Sequence, residues 1–257
     1  MTARRLMPCL AVLGLLLLAS AATGQQQGIT VRTDATGRIS LLAEGRLIGI
    51  VELSLHVPEW VHVPQARAKA ERQVPPGEPA LVYTGTLPIP DAEGGLKFTE
   101  ALRPAEKGLF VDYDLTCEPA VTLNAIQVSL LMPAELYRGT QAEVTLPDNT
   151  TRQVPFGEEQ AENFVLLQAK TNQVGVAPQN APALAIGAGE GADTFIHDLR
   201  RWGQAHFEVR YPLVFAQQGQ EIAAGTSYKL SLALGFDVPV TIEGLPEAPA
   251  VGTGVAP

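Results

Sequence analysis

Residues 228–236 read Tyr-Lys-Leu-Ser-Leu-Ala-Leu-Gly-Phe, in which large apolar residues alternate with polar or small ones. Successive side chains of a β-strand point to opposite faces of a sheet, so a period of two predicts a strand with one buried face. The same period recurs along most of the chain, whereas the helical period of 3.6 is nearly absent. This pattern predicts an all-β fold with little helix.

Turn-forming residues separate the predicted strands at short intervals. Asp34-Ala35-Thr36-Gly37 is a hairpin turn between two alternating segments, because its glycine accepts a positive φ. Further strands are predicted near residues 46–57, 59–64, 80–87, 95–102, 140–146, 164–170, 183–188, 193–197 and 202–211. Short strands separated in this way predict one large antiparallel β-sandwich. The apolar positions change phase near Ala125, which predicts a bulge or a strand that crosses between sheets.

The N-terminus has the features of an export signal. Arg4 and Arg5 precede an apolar run over residues 10–18, and small residues follow over 19–24. A positive start, a short apolar stretch and small residues are typical of a secretory signal peptide, and a bilayer span needs about 20 apolar residues. We expect residues 1–24 to be removed and the mature chain to be secreted or periplasmic in a bacterial host, without membrane insertion.

The mature chain is then predicted to contain a single sandwich domain over residues 25–240. Residues 241–257 are rich in Pro, Gly and Ala and have no apolar pattern, so we expect a disordered tail there.

The net charge and the cysteine content restrict which partners and which chemistry are expected. Arg4 and Arg5 are the only charged residues of the leader, so the net charge of −9 becomes −11 without it. An acidic chain with no Lys/Arg cluster argues against nucleic acid as a partner, because phosphate contacts need cations.

Cys117 would be the only cysteine of the mature chain, so no intramolecular disulfide is expected. It alternates in phase with apolar residues, which predicts a buried, inert thiol.

The densest polar cluster lies between residues 194 and 211. On an extended strand over 202–211, one face would carry an aromatic ring, an amide, an imidazole, a carboxylate and a guanidinium: Trp202, Gln204, His206, Glu208 and Arg210. Aromatic rings pack on the apolar faces of sugars, and planar polar groups bind hydroxyls. With His197 nearby, this face is a candidate carbohydrate-binding site. The alternative is a solvated outer face on which Glu208 and Arg210 form weak ion pairs.

Two further clusters are weaker candidates. His56 and His62 flank Trp60, but the spacing of the histidines fits no common metal site. Asp112 and Asp114 share a strand face and could offer oxygen ligands to calcium, but two carboxylates fall short of the six to eight oxygens that calcium takes, so an ordinary polar face explains them better. No nucleophile elbow, phosphate loop or dinucleotide fingerprint is present. We therefore predict no catalytic residue, no metal and no cofactor.

Several stretches resemble the large sandwich of galactose-mutarotase-like domains, in strand rhythm rather than in identical residues. They are residues 108–115, 129–133, 197–203 and 225–230, and the likeness covers residues 80–237. The resemblance implies a supersandwich-like antiparallel fold. Domains of this family occur as epimerases and as non-catalytic parts of carbohydrate-active enzymes. The epimerase pattern, a histidine acid in an Asn-His-rich strand, is missing here, so no catalytic residue is transferred to this chain.

Three functions are compatible with the sequence. The leading hypothesis is an exported, non-catalytic sandwich that binds carbohydrate or another component of the cell envelope. The second is a structural or interaction protein of the envelope, with a protein partner. The third is a sugar-acting enzyme (an epimerase, a lyase or a glycoside hydrolase) that uses His197 or His206 for proton transfer.

Overall fold

A computed structural model describes residues 28–245, so the predicted signal peptide lies outside the described residues. Within this range there are eighteen strands, which form two sheets of nine strands each. In chain order the strands are β1 (Ile29–Thr33), β2 (Ile39–Ala43), β3 (Arg46–Val57), β4 (Val61–Pro64), β5 (Lys69–Gln73), β6 (Leu81–Pro88), β7 (Gly95–Ala105), β8 (Gly108–Cys117), β9 (Val121–Pro133), β10 (Thr140–Thr145), β11 (Thr151–Phe156), β12 (Val165–Thr171), β13 (Gln173–Val176), β14 (Leu184–Gly187), β15 (Ala192–Asp198), β16 (His206–Ile222), β17 (Ser227–Phe236) and β18 (Val240–Ile242). The predicted all-β sandwich is confirmed.

Sheet one has the strand order β12-β15-β16-β9-β3-β2-β1-β18, and β4 pairs with the C-terminal part of β3. Sheet two has the order β11-β10-β13-β14-β17-β8-β7-β6-β5. The pairings are antiparallel except for β1 with β18. Helical structure in the described residues is limited to one α-turn, Ala134–Tyr137, and three 3-10 turns. No helix of this part of the chain has the length and apolar character to cross a bilayer.

The core lies between the inner faces of the two sheets. In β17, the strand with the clearest alternation, Leu232, Leu234 and Phe236 are buried, while Tyr228 and Leu230 are half-buried. Cys117 is fully buried at the end of β8, so the prediction of a buried thiol is confirmed. Each fully buried large apolar side chain contributes roughly 1.5–3 kcal/mol, which lets a core of this size stabilise the fold without a disulfide.

The phase change near Ala125 corresponds to a bulge, one of the two predicted alternatives. Ala125 of β9 pairs with Phe215 of β16, but Leu123 pairs with Gln220, so β16 has extra residues at this point. The Asn124 side chain donates hydrogen bonds to the carbonyl oxygens of Ala216 and Gln217 in the bulge. The ladder also shifts between Pro212 and Val214, and after the bulge the pairing resumes at Gln220.

The predicted strand over 202–211 begins too early. Leu199–Trp202 forms a 3-10 turn, and β16 starts only at His206. The Asp198 side chain accepts a hydrogen bond from the Arg200 amide at the start of the turn, and Gly203 ends it with a φ of 74°. A capping Asp and a terminating Gly are recognised start and stop signals, and here they override the alternating pattern.

The ordered chain also continues past the predicted boundary at residue 240. Thr241 and Ile242 belong to β18, which pairs in parallel with β1. Because Ile242 is buried, these residues are held by the sheet and by the core. The remainder of the predicted tail, from residue 246, lies outside the described residues.

Candidate functional site

The outer face of sheet one, which points away from the core, carries polar side chains that are nevertheless buried. They come from the three adjacent strands β3, β9 and β16, and they are Glu52, Ser54, Gln127, Ser129, Glu208 and Arg210. The strand register aligns them, because Arg210 pairs with Ser129 and Ser129 pairs with Glu52. A cavity of about 740 Å³ lies over these residues, and we call it the deep cavity.

Glu208 is the centre of the hydrogen-bond network on the cavity floor. Its Oε1 accepts a hydrogen bond from Ser129 Oγ at 2.7 Å. Its Oε2 lies 3.0 Å from His197 Nδ1 and 2.8 Å from an Arg210 nitrogen. Burial by itself raises the pKa of Glu208, but the Arg210 charge and the bonds from His197 and Ser129 outweigh it and hold the pKa well below its usual range. Glu208 is therefore charged, and each of its two carboxylate oxygens has a hydrogen-bond or ion-pair partner.

Three buried polar atoms that border the deep cavity have no hydrogen-bond partner among the described residues. They are His56 Nδ1, Gln127 Oε1 and Arg210 Nε. A buried polar atom without a partner costs about 1–3 kcal/mol, so native proteins contain few of them. Three such atoms are thus grouped on residues that line one cavity.

Aromatic side chains surround the polar floor. On one side, Phe164 contacts Trp202 edge to face at a centroid distance of 5.7 Å. On the other side, Trp60 lies 5.6 Å from Phe215, which lies 4.8 Å from Phe195. Trp202 is 62% exposed, so its ring is accessible at the rim of the cavity. The deep cavity thus combines apolar walls with a polar floor, as small-molecule sites commonly do.

A strained segment between β3 and β4 forms part of the wall. Glu59 and Trp60 have φ values of 65° and 60°, in the left-handed region that residues other than glycine rarely adopt. Both residues line the deep cavity. Such strain persists only where the surrounding structure imposes it, and it is concentrated at functional sites.

His56 and His62 lie directly opposite each other on β3 and β4, with their rings stacked at 5.0 Å. Burial, with the nearby Arg210 charge, lowers the pKa of His56 to about 3. Burial also lowers the pKa of His62. Both imidazoles are therefore neutral near pH 7, and each can donate one hydrogen bond and accept another.

A smaller cavity of about 330 Å³, the side cavity, adjoins the deep cavity. The two cavities share four lining residues: Glu52, His62, Leu131 and Gln204. Beyond them, the side cavity is lined by Arg38, Pro64, Ala66, Ala205 and His206. Arg38 Nε lies 2.7 Å from a Glu52 carboxylate oxygen, so the Glu52 charge has a partner at the border of the two cavities.

Five of the six predicted site residues line the deep cavity: His197, Trp202, Gln204, Glu208 and Arg210. The sixth, His206, faces the side cavity instead. Trp202 and Gln204 reach the site from the 3-10 turn and the loop after it, not from the predicted strand. The alternative of a solvated face is wrong for Glu208 and Arg210, since they are only 2% and 8% exposed.

The contribution of β3 and β9 to the site was not predicted from the sequence. Glu52, Ser54 and His56 alternate with apolar residues along β3, and Gln127 and Ser129 do so along β9. A polar period of two in otherwise apolar strands was the available signal. It could not show that both strands lie beside β16.

The other candidate cluster, Asp112 with Asp114, lies elsewhere and is already paired. Asp112 accepts a hydrogen bond from Ser231 and forms an ion pair with Arg103, and Asp114 forms an ion pair with Lys229. These pairs lie on the outer face of sheet two. Within residues 28–245, no three His, Cys, Asp or Glu side chains are grouped so that they could hold a metal ion.

Comparison with known proteins shows a likeness of fold. No protein-family model matches the chain, and no curated protein matches it in sequence. A solved structure from Synechocystis sp. PCC 6803 is similar over 86% of this chain and 100% of its own, with a TM-score of 0.50 and 8% identity.

Two further solved structures have lower TM-scores. A putative aldose 1-epimerase from Escherichia coli K12 has a TM-score of 0.48 and 11% identity, over 82% of this chain and 99% of its own. A galactose mutarotase-like protein from Lactobacillus casei has a TM-score of 0.48 and 9% identity, over 81% and 100%. Structures of the class that the sequence resembles are thus among those with a similar fold. At such identities the likeness concerns the fold alone.

Proposed function

We propose that the protein binds a neutral carbohydrate in the deep cavity and does not chemically change it. The observation that carries the proposal is the group of three unpartnered buried polar atoms, on His56, Gln127 and Arg210, beneath aromatic walls. Sugar hydroxyls both donate and accept hydrogen bonds, so they can pair with an amide oxygen, an imidazole nitrogen and a guanidinium N–H. The apolar faces of a sugar ring suit the aromatic walls.

The charges around the cavity favour a neutral ligand over an anionic one. Arg210 is paired with Glu208, and Arg38 is paired with Glu52. The lowered pKa values of His56 and His62 leave these rings uncharged near pH 7. An anionic sugar would need a cation whose charge is not already balanced by a carboxylate.

The bonding of Glu208 supports binding rather than catalysis. A general acid or base needs a pKa near the working pH, whereas the pKa of Glu208 is held far below it by three partners. A carboxylate in this state orients His197 and Arg210 and keeps its charge.

A binding assay with one aromatic variant and one matched control tests the proposal. Trp202→Ala should weaken retention on neutral glycans about two- to twelvefold, since loss of a ring contact costs about 0.5–1.5 kcal/mol. Phe110→Ala is the control, because Phe110 is also an exposed aromatic residue but lies on sheet two. Affinity electrophoresis or a glycan array would measure both variants. Equal retention of the wild type and both variants would refute the site, and no retention of any neutral glycan would refute the function.

A second candidate function is proton transfer on a sugar. It is favoured by one observation, the His197 imidazole held by Glu208 at 3.0 Å within a cavity. A carboxylate that orients an imidazole is a common arrangement in acid–base catalysis. His197→Gln should then abolish turnover of a bound sugar, followed by NMR, while binding is retained. If the wild type leaves the spectrum of every bound sugar unchanged, this candidate fails.

We further propose that the chain is exported by residues 1–24 to the cell envelope or the medium. The charge and apolar pattern of this segment supports the proposal. Fractionation and N-terminal sequencing of the protein from its bacterial host provide the test. A mature N-terminus near Gln25 is expected, and an intact leader on a cytoplasmic product would contradict export.

A further inference from the structure

We infer that the ligand is a neutral oligosaccharide, with one sugar unit in the deep cavity and further units in the side cavity. This inference rests on the proposed function, and it adds the size of the ligand and the direction in which it extends.

The deep cavity and the side cavity adjoin. They share Glu52, His62, Leu131 and Gln204, so the border between them is made of residues that face both. A ligand that extends from the deep cavity into the side cavity would pass over the side chains of these four residues.

The side cavity also extends across several strands. The side cavity has lining residues on four successive strands: His206 on β16, Leu131 on β9, Glu52 on β3 and Pro64 on β4. Neighbouring strands lie about 4.8 Å apart, so the three spacings span roughly 14 Å. This distance is longer than a single pyranose ring and fits a short chain of sugars.

The lining of the side cavity also carries groups that can bond to hydroxyls. His206 supplies a ring that donates and accepts, and Arg38 has terminal nitrogens in addition to the Nε that contacts Glu52. Burial, with the Arg38 charge, lowers the pKa of His206, so its ring is neutral near pH 7. Ala66 and Ala205 are small and exposed, which leaves the cavity open along one side. These groups suit hydroxyls at a solvent-exposed subsite.

The experiment measures affinity against ligand length. Isothermal titration would use neutral series from monosaccharide to pentasaccharide, namely β-1,4-glucan, α-1,4-glucan and β-1,4-linked N-acetylglucosamine. In at least one series the tetrasaccharide should bind about tenfold more tightly than the monosaccharide.

Ala66→Trp fills the side cavity with a ring and leaves the deep cavity intact. It should reduce the affinity for the tetrasaccharide to that for the monosaccharide, and leave the monosaccharide affinity unchanged. Ala233→Trp is the matched control, because Ala233 is an exposed alanine on the outer face of sheet two. His206→Ala is a second variant with a smaller perturbation, and thermal unfolding would check that each variant folds.

Each outcome separates the inference from the proposed function. Length-dependent affinity that Ala66→Trp and His206→Ala remove supports the inference. Binding that is independent of length overturns the inference and leaves the proposed function standing. Length-dependent affinity that neither variant changes also overturns it, because the chain of sugars would then extend away from the side cavity. No binding in any series counts against the proposed function itself.

Discussion

Glu208 and Glu100 are both almost completely buried, but their surroundings have opposite effects on their charge. Glu208, on the floor of the deep cavity, has Arg210, His197 and Ser129 as partners, and its pKa is lowered. Glu100 lies on the inner face of sheet two, where Gln65 Nε2 donates a hydrogen bond at 2.6 Å. Burial raises the pKa of Glu100 to about 8, and the bond from Gln65 offsets this only in part.

The difference indicates two uses of a buried carboxyl group. In the core, the neutral carboxyl of Glu100 takes part in a hydrogen-bond network. Gln65 connects it to the Leu53 amide and the Thr36 carbonyl. In the cavity a charged carboxylate is retained beside a cation, where its desolvation is offset by several partners. The charged arrangement positions polar groups toward a ligand, and the neutral one connects segments of the core.

The largest expected effect comes from breaking the charged arrangement. Arg210→Ala leaves Glu208 charged and buried without its cation, so we expect the free energy of unfolding to fall by about 3–5 kcal/mol. Urea denaturation measures this change. The paired replacement of Glu208→Leu with Arg210→Met should cost less than the single substitution, because it leaves no buried charge. If Arg210→Ala lowers the free energy of unfolding no more than a surface substitution does, our description of the cavity floor is wrong.

The pH dependence of stability should reveal that Glu100 is neutral in the folded state. Between about pH 4.5 and 8 the folded state keeps a proton on Glu100 that the unfolded state releases, so rising pH destabilises the fold through this group. Between pH 5 and pH 8, the wild type should lose about 2–4 kcal/mol relative to Glu100→Gln.

Chemical denaturation at several pH values, with both proteins side by side, measures this difference. The glutamine keeps the shape of the side chain but does not titrate, so other groups cancel in the comparison. Parallel stability curves for the two proteins would show that Glu100 is ionised in the folded state.

A smaller effect, of opposite sign, is expected from the buried Gln127. Gln127→Leu removes an amide oxygen without a partner and a single long hydrogen bond, from Gln127 Nε2 to Ser129 Oγ at 3.4 Å, so stability should rise by about 1 kcal/mol while glycan affinity falls. Thermal unfolding and titration together measure both changes.

Gln65→Leu is the control for this prediction. Gln65 is equally buried but bonds to Leu53, Thr36 and Glu100, so its loss should destabilise the protein. Destabilisation by Gln127→Leu to the same extent would mean that the amide of Gln127 has a structural role instead.

The smallest effect is expected on the outer face of sheet two. Arg103 and Asp112 form an ion pair there with partial exposure of both side chains. Exposed pairs contribute about 0.2–1 kcal/mol, so Arg103→Ala should shift stability by no more than this. Thermal unfolding in low and high salt measures it. A cost comparable to that of Arg210→Ala would remove the contrast between the two outer faces.

Much of the fold followed from local patterns. The bounds predicted for β3 match the structure, and the buried side of β8, including Cys117, was predicted from alternation alone. The candidate site was predicted in part, because Glu208 and Arg210 share a strand face. The start of β16 was wrong, since a capped 3-10 turn at Leu199–Trp202 carries Trp202 into the site.

The sequence alone determined that this chain is an all-β protein with apolar inner faces, because the period of two is a property of neighbouring residues. It also determined the polar character of alternate positions in β3, β9 and β16. Only the tertiary structure decided that these three strands lie side by side, that their polar face is buried, and that its cavity continues to His206. The reason is physical: burial and electrostatic partners depend on strand order and covering segments, which bring together residues far apart in the chain.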